Sequence, residues 1–209
     1  MMPGTSPPRR LSSSLIGAES YCALKRERRA GMKQLVIMGV SGSGKSSVAI
    51  ELARRLALPM VEGDEFHGAE NKRKMAAGTP LNDADRVGWL AALAQALATR
   101  PDGVVLSCSA LKLSYRDQLR AASSGLGFVF LDLPIKVAAA RVASRRAHFF
   151  NSSLVRSQFE VLERPEREPD VLRVDGMQSV DQVCEEVLRW PSLAAWPSSN
   201  QRRLSPLGR

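Results

Sequence analysis

The apolar residues of this chain fall into two rhythms. Short continuous runs (Leu35-Val36-Ile37-Met38, Leu58-Pro59-Met60-Val61, Gly103 to Ser107, Phe128 to Leu133, Val171 to Val174) have the length and character of strands buried on both faces. Between them, apolar positions recur at helical spacing. Ala49, Leu52, Ala53 and Leu56 make one stripe, Leu90, Leu93, Ala94 and Leu97 a second, and Val180, Val183, Val187 and Trp190 a third. Helices are also expected over residues 70–77, through Lys112, Arg116 and Arg120, over 134–146 and over 152–163. Asn82, followed by Asp83 and Asp85, reads as the cap and acidic first turn of the helix that runs to Ala98. Strands alternating with helices over residues 33–190 predict an α/β fold. Its core is a five-stranded parallel sheet with helices on both faces and right-handed crossovers. Two stretches exceed simple alternation: the extra helical region 66–100 and an arginine-rich hairpin at 141–160.

The ends read differently. Residues 1–31 are rich in Ser, Pro and Arg without periodicity, and 191–209 carry no clear fold signal; both are expected to be disordered, flanking one domain at 32–190. The net charge of +9 resembles a nucleic-acid signal until it is located. Residues 1–31 hold six basic and two acidic side chains, and 191–209 three basic and none acidic, so only +2 belongs to the body. Without a basic patch interleaved with aromatics, no nucleic-acid partner is expected. No run of eighteen apolar residues exists, so no membrane span is expected either. Cys22, Cys108 and Cys184 are far apart and lack metal-site spacing, which points to reduced thiols in a cytoplasmic protein.

The candidate chemistry begins at Gly39-Val40-Ser41-Gly42-Ser43-Gly44-Lys45-Ser46. A Gly-x-x-x-x-Gly-Lys-Ser loop between a strand and a helix is a P-loop. Its backbone N–H groups turn inward around phosphate oxygens, and the following helix adds the positive end of its dipole. Lys45 is expected to reach the β- and γ-phosphates of ATP, and the Ser46 hydroxyl to hold Mg²⁺. Asp64 follows the second strand, at the carboxyl end where parallel sheets carry their chemistry.

The remaining motifs carry a resemblance. They are Gly63-Asp64-x-x-His67; Asn71-x-x-Lys74-Met75-x-x-Gly78-x-Pro80-Leu81-x-Asp83-x-Asp85-Arg86-x-x-Trp89-Leu90; Cys108-Ser109-Ala110-Leu111-Lys112-x-x-Tyr115-Arg116-Asp117-x-Leu119-Arg120; Arg141-x-x-x-Arg145-x-x-His148-Phe149; and Ser157-Gln158-Phe159-Glu160-x-Leu162-Glu163. In this order, over residues 33–176, they resemble the gluconokinase family of small P-loop kinases. Gly88, Gly68 and Arg164 depart from the family pattern and replace no group that does chemistry. The resemblance implies a P-loop NTPase fold of nucleoside-monophosphate-kinase type, in which 66–100 is the substrate-binding insert and 141–160 the lid. It further implies ATP plus D-gluconate giving 6-phospho-D-gluconate and ADP, in a cytoplasmic enzyme that is often a homodimer.

Gluconate is a polyol with one carboxylate, so its site needs cations and fixed polar side chains. Arg86, Lys112 and Arg116 are candidates for the carboxylate, Arg120 a weaker one. Lys112, Arg116 and Arg120, spaced i, i+4, i+8, would stack on one helix face; a solvated surface stripe is the alternative reading. Asp64, His67, Asp85 and Gln158 are candidates for the hydroxyls. Asp64 either accepts the proton of the attacking hydroxyl or orders metal-bound water. His67 is either a ligand or a loop-packing residue. Arg141 and Arg145, four apart, would close over the transferred group. Rival acceptors are shikimate and nucleoside monophosphates, whose kinases want other motifs after the middle strand or before the lid. A nucleotide switch without catalysis would leave His67, the Asp85-Arg86 pair and Lys112 unexplained.

Overall fold

The computed structural model describes residues 34–144, 152–168 and 170–193. The two expected disordered tails therefore lie almost wholly outside the described residues. Pro191 to Leu193 are described, and Leu193 is buried in the core, so the packed body runs past Trp190.

Five parallel strands form one sheet in the order β2-β3-β1-β4-β5, with β1 Gln34–Met38, β2 Met60–Glu62, β3 Val104–Ser107, β4 Leu126–Asp132 and β5 Val171–Asp175. The helices are α1 Lys45–Leu56, α2 Ala69–Ala76, α3 Asp83–Ala98, α4 Leu113–Ala121, α5 Ile135–Ala143, α6 Ser152–Val161 and α7 Val180–Leu188. A 3₁₀ turn, Gly63–Phe66, follows β2. Among the described residues, no helix is long and apolar enough to cross a membrane. β4 starts two residues before its expected boundary because Leu126 and Gly127 pair with Gln34 and Leu35.

β1 is buried along its whole length, so neighbouring residues serve opposite faces of the sheet. Leu35 and Ile37 pack with Val105, Val129 and Leu131 against α1 and α7, through Leu52, Val183 and Val187. Val36 and Met38 pack with Leu106, Phe128 and Phe130 against α3 and α4, through Trp89, Leu93 and Leu119. A smaller cluster of Val40, Leu111, Leu133, Ala138, Val142 and Val155 seats α5 and α6 near the P-loop. The start of α3 is a capping box: Asn82 accepts from the Asp85 N–H at 2.9 Å, and the Asp85 carboxylate accepts from the Asn82 N–H at 3.0 Å.

Candidate active site

The loop leaving β1 takes its shape from its glycines. Gly42 and Gly44 have φ of 83° and 97°, a region side chains rarely adopt. A Cβ at Gly42 would also meet the Ala138 carbonyl oxygen at 2.5 Å, whereas at Gly44 it would meet nothing within 4 Å. Gly44 sits at the start of α1, which has no side-chain cap, so its first amides serve the loop mouth. Lys45 Nζ donates to the Val40 carbonyl at 3.1 Å. Ser46 is exposed in the first turn of α1. The Ser41 N–H donates to Gln158 Oε1 at 2.6 Å, so a side chain of α6 holds one P-loop amide.

A cavity beside this loop is lined by Ser41, Lys45, Asp64, His67, Arg86, Ser109 and Gln158, with Met75, Thr79, Pro80, Leu81, Leu154, Ser157 and Val161 completing its wall. Asp64 is exposed on the 3₁₀ turn after β2. His67 is buried and stacks on Trp89 with ring centroids 4.6 Å apart and planes 11° from parallel. Trp89 is held in turn by its Nε1–H bond to the Gly63 carbonyl, 2.7 Å. Burial pushes the His67 pKa below its ordinary value, against the opposing pull of Asp64, so the ring is neutral at pH 7. Its Nδ1 has no hydrogen-bond partner among the described residues. Arg86 Nη1 donates to the Leu81 carbonyl at 2.7 Å and reaches the Tyr115 hydroxyl at 3.5 Å.

A second hollow lies where the first turn of α1 meets Arg141 and the turn after β5. It is lined by Ser43, Gly44, Ser47, Val48, Leu131, Arg141, Gly176, Gln178, Ser179, Val180 and Val183. Arg141 Nη1 donates to the Gly176 carbonyl at 2.9 Å.

The structure thus brings Lys45, Asp64, His67, Arg86 and Gln158 to one cavity. It puts Asp85, Lys112, Arg116 and Arg141 elsewhere. Asp85 completes the α3 capping box and pairs with Lys74 at 2.6 Å, and these bonds hold its carboxyl below the usual range. Lys112 pairs with Asp83 at 2.7 Å, and Asp83 also accepts from the Tyr115 hydroxyl. Arg141 borders the second hollow rather than the cavity of Asp64. Arg145 and His148 lie outside the described residues.

The expected stack of Lys112, Arg116 and Arg120 does not form. Lys112 precedes α4 with extended backbone, off the helix face. Arg116 is fully buried, and Arg116 and Arg120 converge on Glu168. Ser109 and Ser157 in the cavity wall, and Tyr115 against Arg86, join the site although their residue types do not single them out within the quoted motifs. Gly176 and Gln178 line the second hollow, and their place after the last strand is the one signal of it in the chain.

The protein-family model described as an AAA domain matches residues 35–165. The chain is 44% identical over 170 residues to a gluconokinase of Gluconobacter oxydans, covering 79% of this chain and 96% of the relative. The chain belongs to the gluconokinase family. The thermoresistant gluconokinase of Escherichia coli is likewise 44% identical, over 157 residues, with 73% of this chain and 87% of that relative covered. A crystal structure of a gluconokinase from Sinorhizobium meliloti superimposes with a TM-score of 0.72 at 44% identity, covering 83% of this chain and 98% of that one. The family assignment and the sheet order agree: this is a P-loop kinase fold of nucleoside-monophosphate-kinase type, and that fold binds ATP.

Proposed function

We propose that the protein is a gluconokinase that transfers the γ-phosphoryl group of ATP to D-gluconate, giving 6-phospho-D-gluconate and ADP in gluconate breakdown. The observation that carries this reading is the single cavity lined by Lys45, Asp64, His67 and Arg86. It joins the P-loop lysine to a carboxylate, a neutral imidazole and a guanidinium, the set a polyhydroxy carboxylate requires.

The cradle fits ATP, since the open space at Gly44 and the uncapped start of α1 leave room and N–H groups for phosphate oxygens. The loop fits Mg²⁺ at one point: the Ser46 hydroxyl is an exposed hard oxygen, and such ions take their remaining ligands from phosphates and water. When bound, such an ion would supply positive charge to offset the negative charge of the phosphates. In this reading Lys45 draws the γ-phosphoryl group toward the acceptor. Asp64 orients the acceptor hydroxyl and takes its proton. Arg86, fixed by Leu81 and Tyr115, offers its planar fork to the carboxylate. Neutral His67 and Gln158 bond the remaining hydroxyls. Arg141 and the Gly176–Val180 turn flank the nucleoside. Asp85, Lys112 and Arg116 act through other residues. A cytoplasmic setting is part of the proposal, in keeping with the free buried thiols of Cys108 and Cys184.

The test is product analysis after incubating the full chain with ATP, Mg²⁺ and a panel of sugar acids, shikimate and nucleoside monophosphates. Phosphate on gluconate is the expected result. Preferential phosphorylation of shikimate or a nucleotide would overturn the acceptor. Tight ATP binding without transfer to any member would overturn the enzyme reading in favour of a nucleotide switch.

A further inference from the structure

Among the described residues, Arg116 is the one arginine or lysine that is fully buried. A buried guanidinium is costly unless its donors and charge are met, and here they are met from two segments of chain. Arg116 Nη1 donates to the Ala110 carbonyl at 2.8 Å, in the loop after β3. Nη2 donates to the Glu163 carbonyl at 3.0 Å, two residues beyond α6. Nε and Nη2 fork onto the Glu168 carboxylate, Nε at 2.9 Å. Burial works against the Glu168 charge, but the bonds from Arg116 and Arg120 outweigh it and hold the carboxyl below its usual range. The counter-charge is therefore present at neutral pH.

Both segments matter to the site. Ala110 has φ of 43°, a strained backbone for a residue with a side chain, and such strain persists only where the surroundings enforce it. Its neighbour Ser109 lines the acceptor cavity, and the Ser109 carbonyl accepts from the Gly39 N–H at the mouth of the P-loop, 3.3 Å. The other segment is the exit of α6, the helix that carries Gln158 onto the Ser41 amide. Backbone bonds run in parallel with the arginine: the Glu163 N–H donates to the Leu111 carbonyl at 2.9 Å, and the Leu113 N–H to the Glu163 carboxylate at 2.6 Å.

We infer that Arg116 is a positioning residue that staples the loop after β3 to the exit of α6, and so sets the separation between the acceptor wall at Ser109 and the helix that covers the P-loop. It does not touch the acceptor. Glu168 is its fixed counter-charge. Lysine cannot replace it, because one ammonium cannot span a carboxylate fork and two carbonyls at once. The inference rests on the phosphotransfer reading of the site but not on which acceptor is used.

The experiment compares full-length wild type, Arg116→Lys and Glu168→Gln by steady-state kinetics with gluconate and Mg-ATP, by thermal melting, and by amide deuterium uptake at 108–113 and 152–163. Displacing a reacting group by about 1 Å costs on the order of 10²-fold. Arg116→Lys should therefore lower kcat about 10- to 100-fold with the acceptor KM within about threefold of wild type. Glu168→Gln should move kcat in the same direction by less, and uptake should rise in both segments. A raised acceptor KM at unchanged kcat would make Arg116 a ligand and overturn the inference. A lowered Tm with both kinetic constants unchanged would overturn it too, as mere structural support. If Arg116→Lys does not fold, Glu168→Gln decides by the same criteria. If wild type transfers nothing to gluconate, the proposed acceptor fails separately, and unchanged uptake in both segments would still overturn the staple.

Discussion

Gly63 is where the end of β2 comes hard against β3, and adding one methyl there should damage catalysis more than stability. A Cβ at Gly63 would lie 2.4 Å from the Ser107 carbonyl oxygen and 3.5 Å from Cys108 Cα, both backbone atoms. Ordinary contact begins at 3.4 Å, so the strand ends must part by about 1 Å. They cannot do so freely, because Glu62 and Ser107 are registered partners in the parallel ladder. Overpacking of this kind costs about 1–3 kcal/mol, or roughly 2–12 °C in Tm for a chain of this size. The displacement passes directly to Asp64, the next residue, and to the Trp89–His67 stack, which hangs on the Gly63 carbonyl. Gly63→Ala should therefore lower kcat/KM by about 30- to 100-fold. An ADP-release assay with gluconate and a circular-dichroism melt read the two effects side by side. A variant within about threefold of wild-type kcat/KM would refute the claim that this close approach sets the position of Asp64.

The exposed interior of α3 should behave oppositely. At Gly88 an added Cβ meets nothing within 4 Å, so Gly88→Ala should stabilise by about 0.4–1 kcal/mol with unchanged kcat, read by urea unfolding and turnover. Asp64→Asn should lower kcat about 10²- to 10⁴-fold, and near-normal turnover would remove Asp64 from the base role. Gln158→Glu would set a carboxylate on the Ser41 amide, where it repels the triphosphate; the KM for ATP should rise at least about tenfold, most at low salt. The pKa of His67 is depressed by burial from its ordinary 6.5, so below pH 6.5 the unfolded chain takes up a proton that the folded chain refuses. Its contribution is complete above pH 6.5 and declines as pH falls toward the folded pKa; His67→Gln should flatten that part of the stability–pH curve, and an unchanged slope would refute the assignment.

What was legible in the chain was local. The P-loop, the buried strands and the Asn82 cap each announce themselves within a few residues, and Asp64 is marked by standing just past a strand. The spacing of Arg116 and Arg120 correctly put them on one helix face, but spacing carries no information about the partner. Glu168, 52 residues from Arg116 along the chain, turns an apparent ligand face into a buried ion pair. Asp85 misleads for a related reason. Its carboxylate serves the cap and Lys74, so an acid that looks aimed at the acceptor is spent on the start of its own helix. Nor did periodicity reveal that β3 lies between β1 and β2, since strands buried on both faces look alike at any position in a sheet.

That strand order has a consequence for how such an enzyme changes over time. β2 and β3, on one side of the P-loop strand, lead into Asp64 and Ser109. β4 and β5, on the other side, lead toward Arg141 and Gly176. On the proposed reading, Asp64, His67, Arg86 and Ser109 on the acceptor side and Arg141 and Gly176 on the nucleotide side thus come from opposite flanks of one central strand, with α6 reaching across from the second flank through Gln158. On that reading, drift or deliberate redesign at His67 and Arg86 would retune the acceptor side without touching Arg141 or Gly176, and a chain of this modest size could acquire a new substrate while keeping its old source of phosphate.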